Sequence, residues 1–348
     1  MLTVGLVASL EYHLGLIMKE IAARNPERIF GREKSLPVHE IVRFSSIEEL
    51  KEHLINDEID RTQRDSFDEQ VGWIISKADM EDFRPKYEDW PRLLELFERR
   101  NLFVHANGIV NDTYLRASVR NKFPDAKDRA LGDELHAGSR YYNSSVQHVI
   151  HFGAMLLHVV WRKSAPDENE RADRAIGDLG YELIARGQYE LAIKILEFAR
   201  NLRNVSSERR RRMFVVNLAN AHKLAKNEAA AIKVLAAEDW TAAGNEFKVC
   251  VAAVKESVDD VVELMGRIGD RGEVDAQDYQ EWPVFYGVRD DPKFVDAFKS
   301  IFGFDYVPSA KKQAGLAQVM DWIKEQDSEN AEIAEGLHTL QSMQILNG

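Results

Sequence analysis

Arg100, Asn101 and His105 stand in the stretch Glu98-Arg99-Arg100-Asn101-Leu102-Phe103-Val104-His105, and their types suit chemistry at a phosphate. An arginine is always charged, and its planar fork matches phosphate oxygens. A histidine can act as general acid or base near neutral pH. On a helix Asn101 and His105 are four apart, so the amide could hydrogen-bond the imidazole and fix its orientation. Spacing alone carries little weight: 27 arginines and 10 histidines in 348 residues make about one Arg-x4-His pair an expected accident. Phase adds more. Arg100 falls in step with Leu93, Leu96, Phe97 and Val104, and a charge on an apolar stripe needs a partner, an interface or a function. The alternative is a packed helix with a snorkelling arginine and a surface histidine.

The elements that must hold these residues are helices. Val7, Leu10, Leu14, Ile17 and Ile21 recur at helical spacing and predict a first helix ended by Asn25-Pro26. Residues 27–44, with Gly31 and Pro37, read as a connector. Ser45 and Glu48 form a capping box for a helix carrying Leu50, Leu54 and Ile55. Another helix runs over 66–75, and Pro91 suits the first turn of the helix that carries the motif. Gly108 ends or interrupts that helix, residues 116–133 read as a polar connector, and 141–161 as a further helix. A boundary falls at Ser164-Ala165-Pro166.

No proline occurs between Pro166 and Pro283, and there Gly187-Gln188-Tyr189-Glu190-Leu191-Ala192-Ile193-Lys194-Ile195-Leu196 is echoed 39 residues later from Lys226. Each copy follows a helix, 175–185 and 213–224. The unit is a repeated helix-turn-helix in which alanines let paired helices approach closely. Gly187, Tyr189, Ala192 and Ala199 give it a likeness to tetratricopeptide repeats (TPR), although the second copy lacks the glycine and the tyrosine. Trp282, Phe285, Phe294, Phe298 and Phe302 suit an aromatic terminal cap, and beyond Gly303 a polar tail holds one helix near 316–325.

Hydrophobic residues make up 45% and charged residues 30%, the balance of a soluble globular protein large enough to bury a core. The single cysteine, Cys250, excludes an intramolecular disulfide and fits a reducing compartment. Residues 1–20 lack a basic leader, and no run of 18 apolar residues exists, so neither a signal peptide nor a membrane span is expected. The expected location is the cytoplasm. A net charge of -12 argues against sequence-blind binding to nucleic-acid backbones. Between Arg99 and Arg129, however, seven basic residues face three acidic ones, and the Arg-Asn-x3-His stretch opens that patch.

Residues 98–111, Glu-Arg-Arg-Asn-Leu-Phe-Val-His-Ala-Asn-Gly-Ile-Val-Asn, resemble the Arg-(Asn/Asp/His)-x3-His signature of the HEPN superfamily. Asn101 occupies its polar position, and Asn-Gly-Ile-Val-Asn is similar to the continuation in some of its members. Asn107 stands where members paired with nucleotidyltransferase antitoxins carry tyrosine. The resemblance implies an α-helical bundle over about 1–160, metal-independent RNA cleavage without a cofactor, and Arg100, His105 and Asn101 as site residues. Attack of a ribose 2′-OH on its phosphate needs a base, an acid and stabilisation of a crowded negative phosphorane. One motif offers one histidine. A second would come from a partner copy across a two-fold axis, which agrees with the dimers the resemblance implies. It also implies a toxin or antiviral-defence setting.

Other clusters carry less. His148, His151 and His158 lie on one predicted helix but lack a third ligand at metal spacing. Arg209-Arg210-Arg211-Arg212 could touch RNA or an acidic partner, or be a solvated helix start capped by Ser206 or Ser207. No Walker loop or dinucleotide loop is present. The expectation is an all-α protein: a HEPN-like domain over 1–160, a TPR-like array over 165–303 and a polar tail over 304–348. Its expected partners are an RNA substrate, a second copy of the chain and a protein on the array. The competing expectation is a non-catalytic interaction or regulatory module.

Overall fold

The computed structural model describes residues 2–30 and 35–307. Helices are the regular structure of the described residues, and their one β feature is an isolated bridge between Ile109 and Glu134. The chain is therefore all-α. The helix expected over 316–325 lies outside the described residues. No helix among the described residues is long and apolar enough to cross a membrane. The chain divides between Glu168 and Asn169 into two units, just past the boundary expected at 164–166.

The first unit holds α1 (Leu2–Arg24), α2 (Pro26–Phe30), α3 (Val38–Ile41), α4 (Ile47–Thr62), α5 (Phe67–Lys77), α6 (Trp90–His105), α7 (Asp112–Asn121) and α8 (Ser139–Ser164). The α1 stripe of Leu6, Val7, Leu10, Leu14, Ile17, Met18 and Ile21 is buried, and α1 packs on α4, α5, α6 and α8. Each such side chain contributes roughly 1.5–3 kcal/mol of transfer free energy. Phe67 sits at the centre, its ring 4.2 Å from Phe97, 5.0 Å from Trp90 and 5.6 Å from Phe152.

Three expected boundaries differ. The expected connector over 27–44 contains α2 and α3. α4 is capped by Ser46, not Ser45: the Glu49 amide donates to Ser46 Oγ (3.1 Å), while the Ser45 amide donates to Glu49 Oε2 (2.7 Å). The expected connector over 116–133 starts inside α7, whose N-cap Asn111 accepts from the Tyr114 amide (3.0 Å) and whose Tyr114, Ala117 and Ser118 form a buried i, i+3, i+4 face. α5 starts as expected, with a capping box of Ser66 and Glu69.

The second unit holds α9 (Asn169–Ala185), α10 (Tyr189–Arg200), α11 (Glu208–Leu224), α12 (Glu228–Ala236), α13 (Asn245–Val254), α14 (Val258–Ile268), α15 (Ala276–Glu281) and α16 (Pro292–Phe302). The pairs α9/α10 and α11/α12 are the two repeats seen in the sequence. A third pair, α13/α14, continues them. The same turn joins all three pairs, each with one left-handed residue: Gly187 (φ 73), Lys226 (φ 67) and Glu256 (φ 55). The next amide reaches back five residues each time, Gln188 to Leu183 O (2.8 Å), Asn227 to His222 O (2.9 Å) and Ser257 to Ala252 O (3.0 Å). This is a Schellman closure of the first helix. Phe285, Phe294 and Phe298 are fully buried beside Tyr279, where α16 packs on α14 and residues 283–287 pack on α13. A cavity of about 200 Å³, lined in part by Tyr181, Met213, Asn217, Asn220, Phe247 and Trp282, lies among α9, α11, α13 and that segment.

Lysine in the left-handed region costs about 1–2 kcal/mol, and glycine there costs about 0.5–1 kcal/mol of chain entropy instead. Lys226 is exposed. Lys226→Gly is therefore expected to stabilise the chain by about 0.5–1 kcal/mol, measured by urea unfolding. Unchanged or lower stability would refute the strain at this turn.

Candidate active site

α6 begins at Trp90 with Pro91 in its first turn and ends at His105. The amides of Ala106 (2.8 Å) and Gly108 (3.0 Å) both close on Leu102 O. Asn107 (φ 49) and Gly108 (φ 79) are left-handed. A Cβ on Gly108 would stand 3.0 Å from Leu135 O, so a side chain there would push away the strand-like segment that pins the end of the motif helix. That segment is held by Leu135 N to Gly108 O and Val110 N to Asp133 O, both 2.8 Å.

The two adjacent arginines part company, because consecutive helical residues point about 100° apart. By phase alone Arg100 belongs on the apolar stripe with Val104. In the structure Val104 is 50% exposed, and Arg99 is the arginine buried in the core. Arg99 Nε donates to Glu95 Oε1 (2.6 Å), Nη1 donates to His136 O (3.1 Å), and its Cζ lies 3.9 Å from the Tyr141 ring centre. Tyr114 OH donates to Glu95 Oε1 (2.8 Å) and Tyr141 OH to Oε2 (2.6 Å). Burial works against the Arg99 charge, but Glu95, Tyr141 and Tyr114 together outweigh it and hold the guanidinium pKa above its usual value. Burial and Glu95 push both phenols upward. The sequence pattern signals this four-residue network only through the i, i+4 pair Glu95 and Arg99.

Arg100 turns to a cleft of about 1020 Å³ bounded by α1, the α4–α5 turn, α5, α6 and α7. Its Nη2 donates to Glu11 on α1, while its Nε is buried with no hydrogen bond. Burial pushes the Glu11 carboxyl up, against the pull of Arg100. Asn101 is exposed and lines the same cleft. His105 is exposed and is not among the residues lining it. The hydrogen bond expected between Asn101 and His105 is not formed. Arg64, Arg100 and Arg120 face Glu11, Asp65, Asp68, Glu69 and Glu98 in the cleft, so acids outnumber bases there. Arg116, Lys122, Lys127 and Arg129 of the basic stretch are exposed elsewhere on the unit.

The other clusters are structural in form. His148 Nε2 lies 3.3 Å from Asp89, His151 Nδ1 is 2.8 Å from Tyr87 OH, and buried His158 stacks on Trp161. Among the described residues no group of three His, Cys, Asp or Glu is placed to hold a metal. Ser207 caps α11, and Arg209 pairs with Glu273 (2.8 Å) and Glu246 (3.1 Å). Arg212 and Arg211 lie 3.5 and 3.9 Å from Glu208. Burial pushes the Cys250 thiol up to about 12, which keeps it un-ionised and unreactive. Compared with protein-family models, curated proteins and solved structures, the chain matches none.

Proposed function

We propose that the first unit is a HEPN-type, metal-independent endoribonuclease that works as a homodimer. The observation that carries this reading is the placement of Arg100 and Asn101 in one cleft of the helix that ends in exposed His105. In this reading Arg100 binds the scissile phosphate and stabilises the phosphorane, His105 transfers a proton, and Asn101 orients the phosphate or the imidazole. Arg100 exchanges Glu11 for the phosphate when RNA binds. Exposed Val104 and Ile109 give apolar area at the motif for a second copy. The helical pairs of the second unit regulate the nuclease or recruit a protein partner, in a toxin or antiviral-defence setting.

The test is cleavage of single-stranded RNA by the purified chain in the presence of a chelator. Arg100→Ala and His105→Ala are each expected to slow it about 10²–10⁴-fold. Unchanged cleavage by either variant would end the proposal. The acidic majority in the cleft and the Arg100–Glu11 ion pair favour a second reading, a non-catalytic interaction module. In that case no RNA is cut, and both variants change only association with a second copy or a partner.

A further inference from the structure

Glu98 stands one turn before Asn101 and two turns before His105 on α6. The spacings of three and four place all three on one face, with Glu98 and His105 about 20° apart around the axis and roughly 10 Å apart along it. Glu98 is half-buried and lines the cleft. Among the described residues it makes no hydrogen bond or ion pair, whereas other cleft carboxylates have structural work. Glu11 holds Arg100, Asp68 lies 3.1 Å from Arg84, and Glu69 completes the Ser66 capping box. Asp65 is exposed on the α4–α5 turn. A half-buried carboxylate without a structural partner, in the same cleft as Arg100, is in a position to exchange protons.

We infer that Glu98 is the second proton-transfer group of the site, acting within the same chain as His105. The inference rests on the ribonuclease reading. Glu98, ionised, takes the proton of the ribose 2′-OH as O2′ bonds to phosphorus. Protonated His105 gives its proton to O5′ as the P–O5′ bond breaks, leaving a 2′,3′-cyclic phosphate and a 5′-hydroxyl. Asn101 lies between the two groups on that face, and Arg100, about 160° around the axis from Glu98, lines the same cleft, where the phosphate would sit. The role otherwise left to a partner's histidine is then filled in one chain, and the second copy serves to enclose the RNA.

The charges facing Glu98 set its titration. These are Arg100 on its own helix, Arg120 on α7, Glu11 on α1, Arg64 and Asp65 on the α4–α5 turn, and Asp68 and Glu69 on α5. Burial pushes the carboxyl up, and Arg120 and Arg100 pull it back only in part. Ionisation of Glu98 therefore costs stability in the folded chain. The cost is absent at low pH and grows as pH rises through its raised pKa. Glu98→Gln removes the cost, so its unfolding midpoint is expected to match the wild type at low pH and to equal or exceed it at pH 7.

The deciding experiment measures kcat against pH on a labelled single-stranded RNA oligonucleotide for wild type, Glu98→Gln, Glu98→Asp, His105→Ala and an equimolar mixture of Glu98→Gln with His105→Ala. Glu98→Gln is expected to lose about 10²-fold or more and to lose the acidic limb of the profile, Glu98→Asp to retain part of both, and the mixture to remain inactive. Wild-type rate and profile in folded Glu98→Gln would overturn the inference alone, with the ribonuclease reading intact if His105→Ala is dead. Recovery in the mixture would show action across chains and overturn the same-chain assignment. If the wild type and His105→Ala cut equally, or neither cuts, both readings fall together.

Discussion

Arg99→Ala is expected to lower the unfolding free energy of the first unit by about 3–5 kcal/mol, because it leaves the Glu95 carboxylate buried without its counter-charge. The Glu95 side chain is 2% exposed and that of Arg99 4%, so water cannot take the place of either partner. Both phenols would still donate to Glu95, but a neutral donor offsets less of a buried charge than a guanidinium does. The backbone oxygen of His136 would also lose its donor. Glu95→Ala should cost a similar amount, since it strands the cation instead. Replacing both, Glu95→Leu with Arg99→Met, should cost much less than either single change, because no uncompensated charge remains. Urea unfolding of the three variants checks this. A loss below about 1 kcal/mol for Arg99→Ala would mean that the pair behaves as a solvated surface bridge.

Phe67→Ala should cost a comparable amount, about 3–5 kcal/mol, by a different mechanism. Phe67 is 3% exposed and meets rings from α6 and α8. Its loss removes a large transfer term and leaves a cavity that helices held on several sides cannot readily close. Phe67 also lines the cleft that Arg100 faces. The same variant should therefore weaken the wall that orients the cleft, and activity should fall further than the folded fraction does. Phe67→Leu, which keeps most of the volume, should lose less on both measures. Equal stability of Phe67→Ala and wild type would show that the aromatic cluster is not the centre of the unit.

The parts legible in the sequence were those fixed by local pattern. The α1 stripe, the helix start at Ser66 and the Pro91 start each rest on a few neighbouring residues, and each lies where the pattern puts it. The Ser45 cap missed by one residue because two serines stand side by side and two glutamates follow them, so local spacing fits both registers. The third helix pair stayed hidden because its turn uses Glu256 where the first uses Gly187, and because the distance between turns shortens after Lys226. The backbone conformation is shared, but the residue type that announces it is not.

The site was half legible. The sequence offers residues 100, 101 and 105 as candidates, of which 100 and 101 line one cleft and 105 does not, and it gives no sign of the role of Arg99. Periodicity on α6 suggested one buried face. The helix is in fact covered on a second side by α7 and by residues 134–136, which brings 95, 99 and 102 into the core. That coverage comes from chain beyond the motif helix, and the second half of α7 falls in the connector expected over 116–133 because its exposed face is so polar.

The Glu95 carboxylate also governs how this part of the molecule moves. Its two oxygens are held by Tyr114 on α7 and Tyr141 on α8, and its own helix supplies the arginine. None of the three helices can swing outward without stranding a group that another one satisfies. Transient opening of this region is therefore all-or-none, and the amide protons of α6, α7 and the first turns of α8 should exchange with solvent as one cooperative block.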